Sequence, residues 1–90
     1  MSLKKLKLTL MLLGWEEDEE EREYGNALLT YVKPGVFLMD IHKNAVANPH
    51  VAKEYIIFFK RDESSWEDVK TIEKGNIYKK AIKWLHKHEH

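Results

Sequence analysis

The chain contains no cysteine, which removes disulfide staples, thiolate zinc ligands and cysteine nucleophiles together and points to a reducing, cytoplasmic setting. Proline occurs twice and glycine four times, each glycine standing alone. Isolated glycines do not build a phosphate-cradling loop or a dinucleotide fingerprint, and no metalloprotease motif is present, so nothing points to nucleotide or zinc-protease chemistry. Long apolar runs are missing as well. The run near the start, Leu10 to Leu13, is far short of the roughly 20 residues that span a bilayer. Lys4, Lys5 and Lys7 ahead of it only sketch a signal peptide, because leucines alternate with lysine and threonine and no small-residue cleavage site follows. No membrane partner is expected. Charge of one sign is also absent: 15 basic and 15 acidic residues cancel, so the molecule as a whole has no field to steer it to a polyanion.

What is present suffices for one small core. Ninety residues, 43% hydrophobic and 33% charged, predict a single domain over residues 1–90 rather than a disordered chain. A domain this small buries a modest share of its surface, and association into a homodimer would add to a thin stability margin. The balanced charge is unevenly spread. From Glu16 to Glu23 every residue is charged and only Arg22 is basic, whereas from Lys74 onward Glu89 is the single acid. The segment 16–23 has no apolar residue to dock and its like charges repel, so it reads as an acidic linker or mobile loop. It lacks the ligand spacing and central glycine of an EF-hand loop.

Leu3, Leu6, Leu10 and Leu13 have helical spacing while Leu6, Leu8, Leu10 and Leu12 have strand spacing, so periodicity leaves residues 4–13 open between the two. Composition favours the helix, with Gly14 placed to end it and Trp15 to fold back on its last turn. From Ala27 to His42 alternation around Pro34-Gly35 predicts a β-hairpin. If Lys33 faces Val36, then Leu28, Thr30 and Val32 share a face with Phe37, Met39 and Ile41. Leu29, Tyr31, Val36 and Leu38 then lie opposite, beside Asp40 and His42. A loop longer by one residue turns the faces over. That second face is too apolar to be bare, so Leu29, Tyr31 and Leu38 are candidate interface residues. Asn44 to Lys53 reads as a connection with at most a helical turn, and Glu54 to Arg61, apolar on both faces, as a central strand. Trp66 to Glu73 reads as a further strand, or as a short helix capped around Ser65 and Asp68. Ile77, Tyr78, Ala81, Ile82 and Leu85 form the stripe of an amphipathic helix behind Gly75-Asn76. The expected architecture is α+β: a small antiparallel β-sheet of three to four strands with an N-terminal and a C-terminal helix packed on it.

Four constellations carry chemistry. Asp40 and His42 would project from one face of a strand, close enough for a carboxyl to orient an imidazole, but no serine stands in a nucleophile context. His50 has no second metal ligand at a diagnostic spacing, and His86, His88 and His90 would splay around a helix. Lys79, Lys80, Lys83 and Lys87 with Trp84 form the sharpest candidate, a lysine stripe for phosphates with an indole to stack on an unpaired base. Lysine is also the ordinary solvent-facing residue of such a helix. The acidic tract could meet a basic partner or the lysine helix of another copy. The leading expectation is therefore a non-enzymatic interaction or structural module that meets a protein partner or itself, with no cofactor, no catalytic residue and no metal. Nucleic-acid binding through the C-terminal helix is second, and an enzyme built on Asp40 and His42 is third.

Overall fold

The computed structural model describes residues 2–43 and 53–88, and the expected connection at 44–52, with His50, lies outside the described residues. Helix α1 (Leu3–Leu12) settles the first ambiguity. Gly14, at φ +88°, reverses the chain so that its N–H reaches the Met11 carbonyl and the Trp15 N–H reaches Leu10, a Schellman closure. Leu10 and Trp15 enter the core together.

The acidic tract, expected as a linker or mobile loop, forms regular structure. Strand β1 (Glu16–Glu17) pairs with Val32 and Tyr31, and helix α2 (Glu19–Tyr24) follows. Three local devices overcome the repulsion. The Asp18 carboxyl accepts the Glu21 N–H at 3.0 Å as an N-cap, and Glu19 to Glu21 occupy the first turn, where the helix dipole favours negative charge. Arg22 then pairs with Glu19 at 3.0 Å. Asn26, at φ +53°, ends α2 with the Ala27 N–H on the Arg22 carbonyl.

Among the described residues, strands β2 (Leu29–Lys33), β3 (Phe37–Lys43), β4 (Glu54–Asp62) and β5 (Ser65–Ile72) complete an antiparallel sheet of five strands in the order β1-β2-β3-β4-β5. The α+β class holds, with more strands than the three to four expected. The fifth strand is the two-residue β1, too short to announce itself by alternation. Helix α3 (Ile77–His88) begins at Asn76, whose side-chain oxygen accepts the Lys79 N–H at 3.2 Å.

The hairpin register differs from the expected one. Lys33 pairs with Phe37, Tyr31 with Met39 and Leu29 with Ile41, because the loop has three residues, Pro34 to Val36. Gly35 at φ +75° closes the turn, and the Val36 N–H bonds to the Lys33 carbonyl. Val36 is retained because its carbonyl accepts the Arg61 N–H at 2.9 Å from β4. The extra residue turns the faces over. Leu29 and Tyr31 join Phe37, Met39, Ile41, Ile56, Phe58 and Ile72 beneath the helices, while Leu38 faces the other way with Thr30, Val32, Asp40 and His42. The interface trio therefore does not share a face.

The core lies between the helix-bearing face and α1 and α3. Leu6, Leu10, Ile77, Ala81 and Leu85 meet Met39, Ile56 and Phe58 there. Phe58, fully buried, contributes about 1.5–3 kcal/mol by leaving water. Helix α2 lies on the opposite face: a Cβ added at Gly25, just past its end, would stand 3.6 Å from Asp40 Oδ2. The chain thus rounds the β1 edge between α1 and α2, and that crossing separates the charges of the two helices.

Candidate functional site

Helix α3 carries Lys79, Lys80, Lys83 and Lys87, and α1 carries Lys4, Lys5 and Lys7; neither helix contains an acid. Pairing of Lys70 with Phe58 puts Lys70 on the helix-bearing face, opposite α3. Between β5 and α3 lies an open groove of about 720 Å³ whose walls include Lys70, Lys74, Lys80, Lys83, Lys87 and His88, with Trp84 alongside. Glu73 is the one acid among its described lining residues. Among the described residues, Lys70, Lys74, Lys83 and Lys87 form no ion pair. Lys80 is held differently, its ammonium donating to the Lys74 carbonyl at 2.7 Å. Gly75 leaves room for that side chain, since an added Cβ would meet the Lys80 Nζ at 3.0 Å.

Trp84 is built into the fold. Its indole stacks on Phe58 at 4.1 Å and on His88 at 4.3 Å between ring centroids. Two parallel rings that close to one centroid fit only on opposite sides of it. Phe37 adds an edge contact at 5.6 Å, and His88 Nδ1 lies 3.0 Å from the Trp84 carbonyl oxygen. The base-stacking role expected of Trp84 is therefore filled by the protein's own rings. Lys80, Lys83, Trp84 and Lys87 come together in the groove as grouped from the sequence, whereas Lys79 is exposed and is not part of its lining. Lys70 and Lys74 were missed. The alternation of β5 was the available signal, but only its pairing with Phe58 brings Lys70 toward α3.

Asp40 and His42 do meet, on the opposite face. Asp40 Oδ1 accepts the Thr30 hydroxyl at 2.5 Å, Asp40 Oδ2 lies 3.2 Å from His42 Nε2, and the imidazole stacks on Tyr55. Asp40 is 7% exposed and Thr30 is fully buried. The Thr30 hydroxyl is spent on the carboxyl and does not point at the imidazole nitrogen as an activated nucleophile would. Neither the 720 Å³ groove nor the smaller cleft of about 460 Å³ beside Lys43, Lys53 and Gly75 is lined by Asp40 or His42. Among the described residues no group of three or more metal-ligating side chains assembles, and no helix is long and apolar enough to cross a membrane. His90 lies outside the described residues.

Tyr78 and Tyr31 have displaced hydroxyl titrations. Burial and a hydrogen bond donated to Glu54 push the Tyr78 hydroxyl up to about 12, and burial with the Glu17 charge beside it raises Tyr31. On the acidic side, hydrogen bonding to Arg22 holds the Glu19 carboxyl below its usual range. Arg22 also approaches Glu23 at 3.7 Å, while exposed Glu16 and Glu20 form no ion pair among the described residues.

No protein-family model, curated protein or solved structure matches the chain. A functional reading therefore rests on the chemistry of these surfaces.

Proposed function

We propose that the chain is an interaction module that holds a carboxylate-rich protein segment in the groove between β5 and α3. One observation carries the reading: several lysines converge on a concave surface with a single opposing acid, and four of them form no ion pair among the described residues. Unpaired ammonium groups around a groove raise the local concentration of anions and favour a partner that neutralises them. The occupied faces of Trp84 make a protein carboxylate a better match than a single nucleic-acid strand, which gains much of its affinity from base stacking. A reducing, cytoplasmic setting is part of the proposal and rests on the absence of cysteine.

The test is fluorescence anisotropy with a labelled oligoglutamate peptide at low salt. Lys83→Gln/Lys87→Gln is expected to weaken binding roughly 5- to 10-fold, at somewhat under about 1 kcal/mol per exposed charge. Lys79→Gln, outside the groove, is expected to change it less than about 2-fold. No binding by the parent protein, or an equal loss from Lys79→Gln, overturns the assignment.

A further inference from the structure

The two charged surfaces of the molecule cannot neutralise each other. The acid-free helices α1 and α3 cover one face of the sheet, and the lysine-lined groove runs along its β5 edge. The tract 16–23, with seven acids and Arg22, occupies the β1 edge and the opposite face. Strand order puts β1 and β5 at opposite ends of the sheet. Arg22 engages Glu19 and Glu23 and leaves Glu16 and Glu20 exposed. A second copy brings its own acidic tract to the groove, and with zero net charge the copies carry no overall repulsion. Helix α2, at six residues, is about 9 Å long, short enough to lie along a groove walled on one side by Lys83 and Lys87, themselves one helical turn apart.

Resting on the reading of the groove as a carboxylate site, we infer that its occupant is the acidic tract of a second copy of this chain, joined head to tail. Groove and tract are different surfaces at opposite edges and on opposite faces, so one two-fold dimer does not satisfy both contacts. The assembly grows as an open chain or closes as a ring.

The experiment is light scattering on a sizing column across protein concentration, at about 0.05 M and about 0.5 M salt. Expected is a mass that rises with concentration at low salt and returns to the 10.7 kDa monomer at high salt. Lys83→Glu/Lys87→Glu keeps its tract but loses its groove, and Glu16→Gln/Glu20→Gln keeps its groove but weakens its tract without creating a cation to meet the first variant's glutamates. Each alone is expected to associate at least about 5-fold more weakly than the parent. Mixed, they are expected to form a complex that stops at one-to-one, because each has one working end. Circular dichroism on both variants separates a lost contact from a lost fold, and the two sets of changes lie on different elements. A parent that stays monomeric at low salt while its groove still binds oligoglutamate overturns this inference and leaves the groove reading standing. Failure of both sinks both. A parent that shifts only when nucleic acid is added, or a mixture that never pairs, assigns the groove to another occupant.

Discussion

Asp40→Ala tests what holds the face of the sheet that α1 and α3 do not cover. The Asp40 carboxyl is the shared acceptor of a small cluster, taking the Thr30 hydroxyl at 2.5 Å and lying 3.2 Å from His42 Nε2. Truncation leaves the Thr30 hydroxyl, fully buried, without its acceptor. A buried donor orphaned in this way costs about 1–3 kcal/mol, and the lost packing of a side chain in a central strand brings the total to about 2–4 kcal/mol. In a domain of this size that is a drop in Tm on the order of 10–20 °C. The companion variant, Thr30→Val/Asp40→Leu, removes donor and acceptor together and fills the space with carbon. His42, at the sheet margin and partly exposed, then turns to water. Replacing both partners of a buried polar pair by apolar groups is nearly neutral in general, so the double variant is expected within about 1 kcal/mol of the parent. Urea unfolding followed by far-ultraviolet circular dichroism, with Thr30→Val and Asp40→Leu as the two single corners of the cycle, is expected to give a coupling energy of at least about 1 kcal/mol. A double variant as unstable as Asp40→Ala, or an Asp40→Ala loss below about 0.5 kcal/mol, refutes the account of Asp40 as the acceptor that satisfies this face.

Two further perturbations address other parts of the fold. Burial and Glu54 raise the Tyr78 hydroxyl to about 12, so both folded and unfolded chains keep its proton below pH about 10 and its contribution there is complete; between about 10 and 12 the folded chain alone keeps it, and stability falls as pH rises. Tyr78→Phe is expected to flatten the change in urea midpoint between pH about 9 and about 11.5, by under about 1 kcal/mol for a half-buried group, and an unchanged slope refutes the raised titration of Tyr78. Deleting Val36 shortens the β2–β3 loop to Pro34-Gly35 and turns the faces of β2 over, exposing Leu29 and Tyr31 and driving Thr30 under the helices, so cooperative unfolding and the near-ultraviolet signal of the aromatic cluster are expected to vanish. Gly35→Ala, with the register intact but φ at +75°, is expected to cost only about 1–2 kcal/mol; a deletion variant that unfolds like the parent contradicts the register.

The parts of the fold legible from sequence are those whose signals are local. Helix α3 announces itself by its apolar stripe and Asn76 cap, and α1 by Gly14, whose left-handed turn returns Trp15 to Leu10. The hairpin is local too, but its register depends on Val36, which is held by Arg61 of β4, a partner 25 positions along the chain. No turn preference carries that information. The acidic tract shows the opposite failure. Asp18 with Glu21 three residues on is a capping pattern present in the sequence, and the density of like charge concealed it. Half of the groove was legible because Lys80, Lys83 and Lys87 lie on one periodic helix. The other half, Lys70 and Lys74, depends on β5 being a strand in a particular register against β4, with a shift between Phe58 and Phe59 that alternation alone does not locate.

The zero net charge of the chain does not weigh against electrostatic recognition once the sheet is taken into account. From β1 to β5 there are four inter-strand spacings, about 19 Å in all, and α2 and α3 lie on opposite faces besides. At physiological ionic strength the screening length is about 8 Å, so a group approaching one edge feels the charges of that edge and little of the other. A partner therefore meets a cluster of lysines or a cluster of carboxylates, never their sum. The same separation prevents the tract from folding back to quench the groove within one molecule, because the sheet that both are built on stands between them. Charge cancellation in the sequence and charge separation in the fold are compatible, and the second governs what each surface attracts at contact distance.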